Sequence, residues 1–260
     1  MSTRYKLIIS DLDRTLLPSK ELPLSKEVFS LVTDLEKAGV RFAVASGRQY
    51  SNLKRLFYPI RDSVIFIPEN GSWISYRGET MYESEIARDA ALAIIDDILK
   101  DDCKEVLVSG KHTYYMKPRT EQFLKRMFCQ IKATVTMVDD FSDIQEPIIK
   151  ISAYDARGIE GFGAAGLIAK WSGTLNAVVS NRIWVDLTVG DKGTAAAYVM
   201  KHFGVSSGET AVFGDDNNDI PLFGVTENSW CMSEAAEEVK KEAQHTTTDT
   251  VAEIRKLLWE

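Results

Sequence analysis

Cysteine and histidine are scarce, at three residues each among 260. Cys103, Cys129 and Cys231 are widely spaced and odd in number, which excludes a disulfide framework and a CxxC metal site and leads us to expect a reducing, cytoplasmic compartment. His112, His202 and His245 are scattered, so neither a histidine metal centre nor a Ser-His-Asp triad has a sequence basis. No segment approaches the ~20 consecutive apolar residues of a membrane span, and the apolar run in "MSTRYKLIISDLD" is too short for a signal-peptide core. Basic residues are also few: 31 Lys and Arg against 38 Asp and Glu give a formal charge of −7. Nucleic acid and anionic membranes need a clustered basic face, so a small-molecule partner is expected, with no nucleic acid and no membrane. There is no internal repeat.

What is present is a βα grammar at both ends of the chain. Tyr5 to Ser10 is a short apolar run of the kind buried on both faces of a parallel sheet. "LSKEVFSLVTDLEKAG" follows as a helix, with Ser25 as N-cap, Val28, Leu31, Val32 and Leu35 as its apolar stripe, and Gly39 at its end. "VRFAVAS" is the next strand. Near the C-terminus "KGTAAAYVMKHFG" is a helix ending at Gly204, "TAVFG" a strand and "VAEIRKLL" a helix. The two matching ends indicate one α/β domain with a mainly parallel sheet. From about Tyr82 to Asp186 the pattern changes to antiparallel α+β, with a helix at "ALAIIDDILK" and strands at "EVLVS", "TYYM", "TVTMV", "IIKISAY", "NAVVS" and "IWVDLT". A second domain inserted into the first is the expectation.

Polar functional residues of a βαβ fold are expected just beyond the carboxyl ends of its strands. Four clusters fall at strand or helix ends: Asp11/Asp13/Thr15, Ser46, Lys192, and "GDDNND" from Gly214 to Asp219. Each is weak alone, but their order lets all four line one crevice. Asp11, Asp215 and Asp219 converging there would repel one another unless a cation neutralised them, and oxygen ligands without histidine or thiolate point to Mg²⁺. A lysine and hydroxyls beside such a metal suit a phosphoryl group, with Lys192 offsetting charge and Ser46 or Thr15 donating hydrogen bonds.

The four clusters, in order, resemble the motifs of the haloacid dehalogenase (HAD) superfamily phosphatases, of the Cof-like type IIB branch. "DLDRTL" is similar to D-x-D-G-T-L, "ASGR" to the serine-bearing second motif, "DKG" to the lysine motif and "GDDNND" to G-D-x-x-N-D. "ENGSWI" and the tail "AAEEVKKEAQHTTTDTVAEIRKLL" also resemble that branch. The resemblance implies a Rossmann-like core over residues 1–82 and 187–260 and an inserted C2-type α/β cap over 83–186 that governs substrate specificity. It implies a Mg²⁺-dependent phosphatase acting on a small phosphorylated metabolite such as a sugar phosphate. Asp11 matches the nucleophile that forms an aspartyl-phosphate, and Asp13 the general acid/base. The metal ligands would be the Asp11 carboxylate, the Asp13 backbone carbonyl and the Asp215 carboxylate. Ser46 and Lys192 match phosphate binders, and Asn218 and Asp219 match residues that steady the phosphate, the lysine or metal-bound water.

Two positions depart from the pattern. Arg14 stands where glycine is usual, and at a positive φ it would cost of the order of 1 kcal/mol. The expectation is a guanidinium pointing to solvent; the alternative is contact with an anionic substrate. Ser233 and Glu234 replace a Gly-Asn pair, with Ser233 read as the N-cap of the next helix. In the insert, Lys111, His112, Lys117 and Arg119 either grip an anionic substrate or form a solvated strand edge. The competing functions are a phosphohexomutase of the same superfamily, a non-catalytic phosphoaspartyl receiver and a degenerate binding module.

Overall fold

Alternation along the first strand, β1 (Leu7–Asp11), decides how the first part of the molecule is layered. Leu7 and Ile9 enter one apolar cluster and Ile8 the opposite one, the period of two that a strand buried on both faces requires. The computed structural model describes residues 3–18, 23–131, 133–158 and 163–258. The chain divides into two compact units, the first Met1–Tyr82 with Asp191–Glu260 and the second Glu83–Gly190.

In the first unit β1 is flanked by β2 (Arg41–Ala45) and β12 (Thr210–Gly214), both parallel to it. The sheet extends through β3 (Val64–Ile67) to β4 (Trp73–Tyr76) and β5 (Glu79–Glu83) on one side, and through β13 (Ser229–Met232) to β14 (His245–Thr247) on the other. β3 and β4 pair antiparallel, whereas the β2–β3, β12–β13 and β13–β14 pairs are parallel. One face packs against α1 (Lys26–Lys37) through Val28, Leu31, Val32 and Leu35, together with Ile254 and Leu257 of α9 (Thr250–Leu257). The other packs against Ala195, Ala196 and Val199 of α6 (Lys192–Phe203). The expected helix ends are present: the Ser25 hydroxyl accepts from the Val28 N–H, and Gly39 and Gly204 take the left-handed conformation at φ 76 and 64.

The order β12-β1-β2 places the carboxyl ends of three neighbouring strands side by side, where successive crossovers leave β1 in opposite directions. Asp11 ends β1, Ser46 follows β2 and Asp215 follows β12.

The second unit is a six-stranded sheet in the order β10 (Asn176–Asn181), β11 (Trp184–Thr188), β9 (Lys150–Asp155), β6 (Lys104–Ser109), β7 (Tyr114–Met116), β8 (Val135–Met137). α3 (Arg88–Leu99) and α5 (Ala164–Trp171) cover one face with Ala91, Ile94, Ile95, Ile98 and Leu167. On the other, Phe123 of α4 (Glu121–Lys125) packs with Tyr154 and Trp184. The unit is not wholly antiparallel: β7 and β8 run parallel, because α4 and the π-helical turn Arg126–Ile131 between them return the chain to the starting end. The expected boundary after Asp186 would cut β11, whose pairing continues to Thr188 against Lys150, and the unit ends at Gly190. Ser233 is not a helix N-cap. The short helix α8 (Glu237–Lys240) starts after Ala236, and the Ser233 N–H instead donates to the Thr247 carbonyl beside β14.

Behind the strand ends, Glu69, Asn70 and Gly71 hold three consecutive positive φ angles of 51, 56 and 97. A Cβ on Gly71 would sit 2.2 Å from the Asp191 carbonyl oxygen, backbone that cannot yield. Gly71→Ala is therefore expected to destabilise by about 2–4 kcal/mol. Gly78→Ala, at φ 82 in open space, should cost only about 1 kcal/mol. Denaturant unfolding of the two variants checks the contrast.

Candidate active site

The segment after β1 is a tight fold-back. The N–H groups of Leu16 and Leu17 both donate to the Leu12 carbonyl, and the Arg14 N–H donates to the Leu17 carbonyl at 2.7 Å. Leu12, Leu16 and Leu17 are buried and anchor the turn, so Asp11, Asp13 and Thr15 are presented from a fixed base. Arg14, at the apex, has φ 67.

Lys192 opens α6 and is only 1% exposed. Its Nζ lies 2.6 Å from Asp11 Oδ1 and 2.6 Å from Asp219 Oδ1. The Asp191 capping box, in which its carboxylate accepts from the Thr194 N–H, sets the direction in which the lysine leaves the helix. The other oxygen of Asp219 accepts from the N–H groups of Asp215 and Asp216, so this carboxylate braces the loop as well as the lysine. Gly214 makes room for it, since a Cβ there would lie 2.6 Å from the Asp219 side chain. Asp11, Asp215 and Asp219 each offer an oxygen within 4.8 Å of the others, and all three are buried.

Burial raises the Asp11 pKa well above the usual carboxylate range against the pull of Lys192, and Asp219 and Asp215 add to the rise. Burial also raises Asp215, to about 7, helped by Asp219 and opposed by Arg14. For Lys192 burial acts downward, but Asp11 and Asp219 outweigh it and keep the ammonium charged. The cluster is thus short of positive charge. Three buried carboxylates with hard oxygen donors and one ammonium fit a hard divalent cation.

Among the remaining residues singled out by sequence, Ser46 is buried, and its Oγ accepts from the Arg48 N–H at 3.2 Å, which leaves its O–H to donate. The Thr15 hydroxyl donates to Asp215 Oδ1 at 3.3 Å, orienting that carboxylate. Asn218 Nδ2 donates to Asn70 Oδ1 at 3.0 Å, while the Asn70 N–H donates to the Ser46 carbonyl. "ENGSWI" thereby ties the serine turn to the "GDDNND" loop.

Two contacts were not legible in advance. Arg48 grips Asp13 with both ends of its fork, Nε to Oδ2 at 2.9 Å and Nη2 to Oδ1 at 2.5 Å. The only signal was an arginine two residues beyond Ser46, at a strand end that must face acids. Arg14 departs from the solvent-facing expectation: its Nε is 2.9 Å from Asp215 Oδ2, and its Nη2 donates to Asp216 Oδ2. The side chain remains 59% exposed, yet it is held by the acidic loop.

An acid whose folded-state pKa is raised binds protons more tightly folded than unfolded, so protonation favours the folded state between the ordinary value and the raised one. For Asp215 that window runs from about 3.8 to about 7. The metal-free protein in EDTA is therefore expected to gain stability from this group as pH falls from 8 to 5. Asp215→Asn should melt higher than native at pH 8 and show a flatter profile. Thermal denaturation across that range checks the sign.

The family model of haloacid dehalogenase-like hydrolases matches residues 8–253. Over 242 residues the chain is 24% identical to 5-amino-6-(5-phospho-D-ribitylamino)uracil phosphatase YbjI of Escherichia coli, covering 92% of this chain and 89% of that protein. A haloacid dehalogenase-like hydrolase from B. subtilis superimposes with a TM-score of 0.85 at 20% identity, over 97% of this chain and all of the other. The HAD subclass IIB sugar phosphatase BT4131 superimposes with a TM-score of 0.79 at 19% identity, over 95% of each chain. The motif order, the crevice at the strand ends and the match over nearly the whole length agree, and the chain belongs to the haloacid dehalogenase-like hydrolases.

Proposed function

We propose that the chain is a Mg²⁺-dependent phosphatase that hydrolyses a small phosphorylated metabolite, a sugar phosphate or related polyol phosphate, through an aspartyl-phosphate on Asp11. The observation that carries this reading is the buried cluster in which Lys192 bridges Asp11 and Asp219, beside Asp215 and with Asp13 held in place by Arg48. Members of the family use a divalent metal, and the donor set fits one. Mg²⁺ would be held by the Asp11 and Asp215 carboxylates and the Asp13 backbone carbonyl, and when bound it offsets negative charge on the phosphoryl oxygens.

Asp11 attacks phosphorus through a carboxylate oxygen as the ester P–O bond breaks. Asp13 gives its proton to the departing alkoxide, then takes a proton from the water that attacks the aspartyl-phosphate, releasing inorganic phosphate and restoring Asp11. Lys192 and the Ser46 hydroxyl stabilise the charge that spreads over the transferring oxygens. Arg48 is the positioning residue for Asp13. Asn218 and Asp219 steady the loop and the lysine.

The substrate class follows the named relatives, a sugar phosphatase and a phosphoribitylaminouracil phosphatase. The second unit, as the inserted cap, would select the leaving group. A mutase would need spare cations in that unit to hold a second phosphate. Lys111 is paired with Glu83 at 2.6 Å, Lys117 donates to the Asp139 carbonyl, and Arg119 donates to the Leu99 carbonyl at 3.0 Å, so these three are engaged within the unit. The unpaired cysteines accord with a cytoplasmic setting.

Phosphate release is to be measured over a panel of sugar, polyol and nucleotide monophosphates with Mg²⁺ or EDTA. Release is expected with Mg²⁺ only, and Asp11→Asn should lower it by a factor on the order of 10³ or more. Activity independent of Asp11 would refute the reading. Arg48→Ala should lower kcat by roughly 10–100-fold with a smaller change in KM, since it displaces the acid/base without touching the phosphate binders. Arg48→Lys should recover part of the loss, a pattern that steady-state kinetics resolves.

A further inference from the structure

Arg14 occupies a backbone conformation suited to glycine, φ 67, and an L side chain there costs on the order of 1 kcal/mol. The guanidinium is nevertheless placed with care. Its Nε meets Asp215 Oδ2 at 2.9 Å and its Nη2 meets Asp216 Oδ2. The other oxygen of Asp215 accepts from the Thr15 hydroxyl. Both oxygens of Asp215 are therefore partnered within the chain before any cation arrives.

The other cations of the site are committed elsewhere. Lys192 lies between Asp11 and Asp219, and Arg48 lies on Asp13. With all four acids ionised, as a bound cation requires, Asp11, Asp215, Asp216 and Asp219 against Lys192 and Arg14 leave two negative charges over, four minus two, where loss of Arg14 would leave three. A guanidinium keeps its charge at any pH the protein experiences and has no lone pair with which to coordinate a metal. It can neutralise the carboxylates, and it can only oppose a second cation at the same acid.

We propose that Arg14 is a resident counter-ion of the carboxylate cluster: it stabilises the metal-free protein and competes with the divalent cation for Asp215, so that it weakens Mg²⁺ binding. The inference rests on the metal reading of the site and extends it to a residue outside the family pattern. Its consequence is an enzyme whose metal occupancy responds to free Mg²⁺ at higher concentrations than a glycine at this position would give.

Isothermal titration of MgCl₂ into the metal-free protein tests this without any substrate. In Arg14→Gly and Arg14→Gln the Kd for Mg²⁺ is expected to fall by roughly three- to tenfold, a range held down by the exposure of the pair. The gap from native should narrow as salt is raised to about 0.5 M. Arg14→Gln keeps the backbone strain and loses the charge, so its metal-free melting temperature should lie below native. An unchanged or higher Kd in Arg14→Gln overturns the proposal, as does tightening confined to Arg14→Gly, which would assign the effect to the backbone. A native protein that binds no Mg²⁺ overturns both this inference and the metal reading, whereas Mg²⁺ binding indifferent to Arg14 overturns this inference alone.

Discussion

The site is organised around one buried ammonium. Lys192 enters at the start of a helix and lies between the carboxylates of Asp11 and Asp219, out of contact with water. Removing such a charge from water costs several kcal/mol unless it is fully paired, and a lysine with two carboxylates at 2.6 Å meets that condition. The pairing joins the end of β1, the start of α6 and the loop after β12, which are remote in sequence. It also leaves the carboxylates in excess, the electrostatic condition under which a divalent cation is favourable in the same place.

Close backbone approach supports that arrangement. The left-handed run Glu69, Asn70, Gly71 stores strain, and strain of this kind persists only where its surroundings over-determine it. Here the Asn70 N–H donates to the Ser46 carbonyl, its side chain accepts from Asn218, and Gly71 lies against the Asp191 backbone one residue before Lys192. A Cβ on Gly193 would lie 2.3 Å from the Pro221 carbonyl, which locks α6 against the segment after the acidic loop. Ser46, the lysine and the acids are therefore positioned by backbone contacts that tolerate little change.

The second unit is built on a different economy of charge. Its sheet keeps Glu105 buried by giving it the Thr120 hydroxyl and the Arg119 N–H, and Asp186 by giving it the Ser152 hydroxyl with Lys150 at 3.8 Å. Its basic side chains at Lys111, Lys117 and Arg119 are engaged with nearby acids and carbonyls of the same unit.

Sequence by itself determined the elements and the chemistry on offer. Periodicity identified β1, α1 and α6, Ser25 opened α1 while Gly39 and Gly204 closed their helices, and the order of Asp11, Ser46, Lys192 and Asp215 put them at strand and helix ends. These features depend on neighbours along the chain, which is why local pattern reveals them. Only the tertiary structure decided which charge meets which. That Arg48 holds Asp13, that Arg14 turns back to Asp215 and Asp216, and that Asn70 reaches Asn218 depend on side-chain directions across strands far apart in sequence. The parallel course of β8 and the end of the second unit at Gly190 were likewise set by pairing partners, because a strand's direction is fixed by the ladder it joins and not by its own residues.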